Sequence, residues 1–116
     1  MYNYSSIDPS ECEFVAVGPD AELPEGKRIF VEIDDLPVVI FRVGGKLFAI
    51  ADACSHDDGP LGDGDLDGHG IVCPRHGARF DIQTGKALAL PAVVDIPSYP
   101  VRVSQGQIEV GIPFDV

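Results

Sequence analysis

VVIFRVGGKLFAIA, residues 38–51, is the stretch from which the architecture of the chain is read. Val38–Val43 and Lys46–Ala51 are short apolar runs rich in β-branched residues and Phe, which favour extended backbone. The Gly44-Gly45 pair between them supplies positive φ without steric cost, so the two runs are expected to close as a two-residue hairpin. The same pattern recurs outward. Glu13–Val17 and Arg28–Ile33 are further strand runs on the N-terminal side. On the C-terminal side, Val101–Ser104 and Gln107–Val110 form a second hairpin around Gln105-Gly106. Arg79–Ile82 and Lys86–Leu90 form a third around Thr84-Gly85. Gly18-Pro19 and Pro24 mark turns, and 13 Gly and 10 Pro spread over 116 residues leave little room for a long helix. These features predict one all-β domain, residues 1–116, with no repeat and no linker.

Charge narrows the function. Eight Lys and Arg stand against 19 Asp and Glu, a formal net charge of −11. Such a field repels phosphate backbones and anionic lipid, so no nucleic-acid or membrane-surface partner is expected; it favours basic protein partners, with plain solubility as the competing reading. The opening residues MYNYSSIDPSECEF carry neither a basic nor an apolar leader segment, and no apolar run approaches the roughly 18 residues of a membrane span. Three cysteines, an odd number, do not make a secreted disulfide framework. A cytoplasmic, unanchored protein is therefore expected.

The middle of the chain breaks the strand pattern. From Asp52 to Gly70 there are six Asp and five Gly, a composition not expected to build a sheet by itself. A loop this long inside a small domain is usually functional or disordered, and this one is bounded by cysteine–histidine pairs. The pairs are Cys54-Ser55-His56 and Cys73-Pro74-Arg75-His76, with 16 residues between them. Thiolate and neutral imidazole are metal ligands, and two of the three Cys and two of the three His fall in these clips. Two readings are open. Four such ligands could hold one tetrahedral zinc. Because each clip mixes one Cys with one His, the set also suits a two-metal centre with both Cys on one iron and both His on the other.

The segments CSH and CPRHGARFD, residues 54–56 and 73–81, resemble the Rieske signature C-x-H … C-x-x-H-G with its following aromatic and acidic residues. GPLGDG before the second clip and the Thr84-Gly85 turn after it are also similar to that family, so the match spans about residues 53–86. The resemblance implies the all-β Rieske fold of stacked, sandwich- or barrel-like antiparallel sheets, with a small two-loop subdomain binding one [2Fe–2S] cluster. It places Cys54 and Cys73 on the buried iron and His56 and His76 on the solvent-side iron, with no catalytic residue. In such a cluster two ferric ions, two sulfides and two thiolates cancel, and neutral imidazoles add no charge. A neutral centre accepts an electron more readily than an anionic one, and Rieske potentials span roughly −150 to +300 mV. High-potential members carry an extra cysteine in each clip, at places that resemble Leu61 or its neighbours and Arg75 here. They also use a Ser and a Tyr hydroxyl toward the cluster sulfurs, where this chain has Ala78 and Phe80. Fewer donors and a −11 charge both destabilise the reduced state, so a low-potential centre is expected.

Other residues have plainer readings. Asp63-Gly64-Asp65-Leu66-Asp67-Gly68 opens like a calcium loop, but its twelfth position is Pro74 rather than Glu, and turn formation suffices. His69 is read as a solvent-facing loop residue and Cys12 as a partly buried small hydrophobe. Arg75 and Arg79 are read as steering a partner or stabilising the reduced cluster, or as pairing with the adjacent aspartates. Pro91 sits where the family has a proline-bearing covering loop. With the cluster using two histidines, His69 alone does not supply the two-histidine mononuclear iron of an oxygenase subunit. The resemblance thus points to a soluble one-electron carrier between a flavin-dependent ferredoxin reductase and a terminal oxygenase, with no small-molecule substrate. The alternatives are a small electron-transfer subunit of a nitrite-reductase-like complex and a zinc-stabilised interaction module.

Overall fold

The computed structural model describes residues 7–54, 59–74, 77–90 and 94–114. Its strands are β1 (Cys12–Pro19), β2 (Arg28–Ile33), β3 (Leu36–Val43), β4 (Lys46–Ala51), β5 (Leu66–Asp67), β6 (Gly70–Val72), β7 (Arg79–Asp81), β8 (Ala87–Ala89), β9 (Ser98–Tyr99), β10 (Val101–Ser104) and β11 (Gln107–Pro113). They form three sheets, ordered β1-β11-β10, β2-β3-β4-β9 and β5-β6-β7-β8, and every pairing is antiparallel. Two single 3₁₀ turns, Pro9–Glu11 and Asp20–Glu22, are the only helical pieces among the described residues.

The layering follows from β3. Val38, Val39, Ile40 and Phe41 are all buried, which a strand with one wet face does not allow. Successive side chains point to opposite faces. Val38 and Ile40 join a core with Ile108, Val110 and Ile112 of β11, while Val39 and Phe41 join another with Ile71 of β6 and Phe80 of β7. The β2-β3-β4-β9 sheet is thus the middle layer, covered on one face by the β1-β11-β10 sheet and on the other by β5-β6-β7-β8. Each fully buried side chain of this size contributes about 1.5–3 kcal/mol of transfer free energy, so both interfaces are apolar-driven.

The turns match their residues. Gly44 and Gly45 have φ of 62° and 78°, the paired positive values of the turn that suits strand twist. Asp34 and Asp35 adopt the same conformation, with φ of 50° and 68°, between β2 and β3. Asp tolerates it better than most residues because its short side chain can bond locally. The Gly44-Gly45 turn is also held from outside: Glu25 accepts hydrogen bonds from Gly44 N at 2.7 Å and Gly45 N at 2.8 Å. Beside it Arg42 donates to Leu23 O at 2.6 Å and pairs with the Asp20 carboxylate.

Two expectations need correcting, and one strand has no counterpart in the sequence reading. The Asp52–Gly70 stretch is not wholly unpaired, since β5 lies within it and pairs Leu66 with Ile71. Two residues among Asp and Gly are too few to show alternation. Gly18-Pro19 ends β1 rather than forming a separate turn, and the register shifts between Ala16 and Gly18, the signature of a bulge. β9, enclosed by Pro97 and Pro100, has no sequence signal of its own.

The bonds from Gly45 N and Gly44 N hold the Glu25 carboxyl below its ordinary value of 4.5. A depressed carboxyl stabilises the fold above the unfolded value, and that contribution disappears as the pH falls through the folded value. Glu25→Gln is expected to be less stable than the native chain near neutrality, with the difference shrinking on acidification below 4.5. Urea midpoints of the two proteins across that range check this.

Candidate metal centre

The two cysteine clips are built alike. β4 runs out through Asp52 to Cys54, whose N–H donates to Gly59 O at 2.8 Å. β6 runs out directly to Cys73, whose N–H donates to Ala78 O at 2.7 Å. In each case the cysteine amide reaches the carbonyl five residues on, so the same bond closes both loops. Gly77 N also returns to Cys73 O at 3.0 Å, and Gly77 has φ of 75°, a conformation that glycine adopts at low cost.

Both cysteines are fully buried, Cys54 at 0% and Cys73 at 1% exposure, in one core with Val39, Phe41, Leu61 and Phe80. The middle sheet supplies the floor and the β5-β6-β7-β8 sheet the wall. Two sulfur donors enclosed by apolar side chains suit a soft, iron- or zinc-type metal and not calcium, which takes oxygen ligands. His56 and His76, the other two expected ligands, lie outside the described residues, as do Ser55, Arg75 and Pro91. The structure therefore brings Cys54 and Cys73 into one core.

The remaining candidates separate from this centre. Cys12 is buried on β1 opposite Pro113, with its Sγ 3.4 Å from Asp8 O. Burial, and then the charges of Asp8 and Glu11, push its thiol up, so it is less reactive than an ordinary cysteine. His69 is exposed, its ring edge-on to Phe48 at 5.3 Å. Arg79 pairs with Asp67 at 2.9 Å, the aspartate reading of the two offered by the sequence. Both partners are well exposed, and such pairs stabilise by about 0–1 kcal/mol.

Several residues that hold the centre in place escaped the sequence reading. Asp52 accepts from Leu61 N at 2.9 Å and Gly62 N at 2.5 Å. Arg28, on β2, donates to Gly62 O at 2.5 Å and Gly64 O at 2.7 Å. Gly64 lies so close to β6 that a Cβ there would stand 1.7 Å from Val72 O. At the far side Gly85 O accepts from Ile96 N at 2.8 Å, and Asp95 accepts from Ala87 N at 2.8 Å. These bonds tie the segment re-entering at Val94 to the third hairpin. The glycines were visible in sequence, but which of them faces a backbone was not.

Residues 13–100 match the family described as the Rieske [2Fe–2S] domain. The chain is 43% identical over 97 residues to the 3-phenylpropionate/cinnamic acid dioxygenase ferredoxin subunit of Escherichia coli (strain K12), covering 82% of this chain and 90% of that one. Among solved structures, it resembles the ferredoxin of carbazole 1,9a-dioxygenase from Nocardioides aromaticivorans IC177 at 33% identity and a TM-score of 0.78, covering 84% of this chain and 95% of that one. It also resembles a chain in a complex of reduced oxygenase and oxidised ferredoxin in carbazole 1,9a-dioxygenase, at 30% identity and a TM-score of 0.78, covering 84% and 92%.

The contact at Gly64 makes a local prediction. Gly64→Ala is expected to cost roughly 2–3 kcal/mol, because the clashing atom is β6 backbone and cannot rotate away. Gly68→Ala, at positive φ but in open space, should cost only about 1 kcal/mol. Denaturant unfolding of both variants measures the difference.

Proposed function

The chain belongs to the Rieske [2Fe–2S] domain family, and on that premise we propose that Cys54, His56, Cys73 and His76 hold its cluster, the cysteines on the inner iron and the histidines on the outer. The cofactor is one [2Fe–2S] cluster, which decides between the iron–sulfur and zinc readings. The chain is an electron-transfer component and not an enzyme, as its relatives are named ferredoxin subunits. One observation carries the ligand assignment: Cys54 and Cys73 share one dry core, each at the start of a loop closed by the same backbone bond. The cluster-binding part then spans about residues 53–86 of a single domain, 1–116.

The bound cluster supplies a one-electron couple. The chain's part is to keep water from the two sulfurs through the packing of Leu61, Ile71 and Phe80, and to set how well added charge is tolerated. Ala78 and Phe80 are buried in the same core as the cysteines and bring no hydroxyl to it. Together with the −11 net charge, this supports a potential toward the low end for the family. We further infer that electrons arrive from a flavin-dependent reductase and leave to a terminal oxygenase. The carbazole dioxygenase relative, described as a complex of oxygenase with ferredoxin, supports the second step. The exposed apolar side chains Leu88 and Leu90, on and just after β8, give the cluster-bearing sheet a surface on which a partner can pack. The setting inferred is the cytoplasm; no helix among the described residues is long and apolar enough to cross a membrane.

An electron paramagnetic resonance spectrum of the dithionite-reduced protein tests the assignment. Mixed nitrogen and sulfur ligation is expected to give a lower average g than four thiolates; a four-thiolate spectrum would refute it. Exchanging either Cys54→Ser or Cys73→Ser should abolish the signal. The potential is tested separately by Ala78→Ser with Phe80→Tyr, where each new hydrogen bond is worth about 1 kcal/mol, or roughly 40 mV upward for a one-electron couple. A voltammetric midpoint that does not rise, with the cluster intact, counts against the donor argument.

A further inference from the structure

Residues 61–64 lie within the stretch between the two clips, and their backbone is held by two charged side chains that belong to neither. Asp52 Oδ1 accepts from Leu61 N and Gly62 N, and Arg28 Nη1 donates to Gly62 O and Gly64 O. The Arg28 guanidinium also lies over the Phe41 ring, 5.0 Å from its centroid. Leu61, at the start of the segment, is fully buried in the core that holds Cys54, Cys73 and Phe41. We propose that Arg28 and Asp52 are positioning residues that clamp this segment closed against the cysteine core and so govern how firmly the chain retains its cluster; this rests on the ligand reading above.

The physical case is one of satisfaction. Four backbone groups of the segment, two N–H and two C=O, are met by these two side chains at partly buried positions. A backbone group that loses its partner there must find water, and the segment has to lift to reach it. Because Leu61 is anchored in the core that holds Cys54 and Cys73, lifting residues 61–64 would open that core to solvent. Bonds to charged groups are stronger than neutral ones, which suits a clamp of few contacts. Packing reinforces the geometry: a Cβ at Gly62 would stand 2.7 Å from Phe30 and 3.0 Å from both Asp52 and Val39. Arg28 meets both carbonyls through its one Nη1 while its guanidinium lies over Phe41; a lysine ammonium can also donate, but it is the more strongly hydrated cation to hold beside a ring.

The test uses the holoprotein carrying Asp52→Asn, Arg28→Met or Arg28→Lys, well below each variant's melting temperature. Two rates are read: bleaching of the cluster by an iron chelator, and amide hydrogen exchange by mass spectrometry over residues 61–64, with β11 as the internal reference. Removing both Arg28 bonds in Arg28→Met, or the charge that strengthens both Asp52 bonds in Asp52→Asn, should raise both rates about tenfold or more. Arg28→Lys should fall between them and the native chain, and exchange in β11 should be unchanged. Unchanged bleaching overturns the proposal, and so does an equal rise of exchange in β11, which would show general destabilisation instead of a local clamp. If Arg28→Met does not fold, Asp52→Asn and Arg28→Lys decide by the same criteria. A native protein lacking the mixed-ligand spectrum refutes the ligand reading; a normal native spectrum with unmoved rates refutes only the clamp.

Discussion

The double burial of β3 is the constraint on which the other layers depend. Val38 and Ile40 face one core and Val39 and Phe41 the other, so a single strand sets the spacing of both interfaces. A polar residue at any of these four positions would be left without water on either side. The arrangement also divides labour. One face of the middle sheet is closed by the long β1 and β11 ladder, and that half carries no expected ligand. The other face is where the cysteines sit, and there the covering layer is made of short strands and loops.

That division explains how a chain of this size supports an inorganic centre. The loops carrying Cys54 and Cys73 do not hold themselves by extensive ladders; each is shut by its cysteine's own N–H, with a second bond from Gly77 N in the Cys73 loop, and packed against the middle sheet. Backbone polarity left over by the irregular segment between them is answered by side chains from the middle sheet and its exit, Arg28 from β2 and Asp52 after β4. The site is thus an outgrowth of the floor, and its precision depends on residues that look, in sequence, like ordinary strand and loop residues.

Much was legible from the amino-acid order. The three hairpins were marked by Gly44-Gly45, Gln105-Gly106 and Thr84-Gly85, because positive φ and tight reversal restrict residue choice strongly. The cysteine clips were legible because thiolates and imidazoles are scarce in this chain and fell in pairs. What escaped notice depends on distance in space. Arg28 sits in an alternating run whose pattern is satisfied whether its head meets solvent or a loop more than thirty residues away. β5 and β9 are two residues each, and their pairing is imposed by neighbours and not by their own propensity. Gly64 and Gly85 announce only flexibility until a carbonyl is found against them. The four-residue buried run of β3 was read as strand, but its apolar run alone did not reveal the second core.

The unequal strand lengths have a further consequence. The β5-β6-β7-β8 sheet is made of strands of two or three residues, against six to eight in β1 to β4. Ladders that short are not independently stable in water, so their cohesion comes from what they enclose. Strand length therefore predicts opening free energies graded through the molecule, with the β1-β11 ladder and the middle sheet at the high end and the outer layer at the low end. Such a gradient lets the base stand as a scaffold while the outer layer yields locally, so that the core around Cys54 and Cys73 can open without the rest of the molecule unfolding.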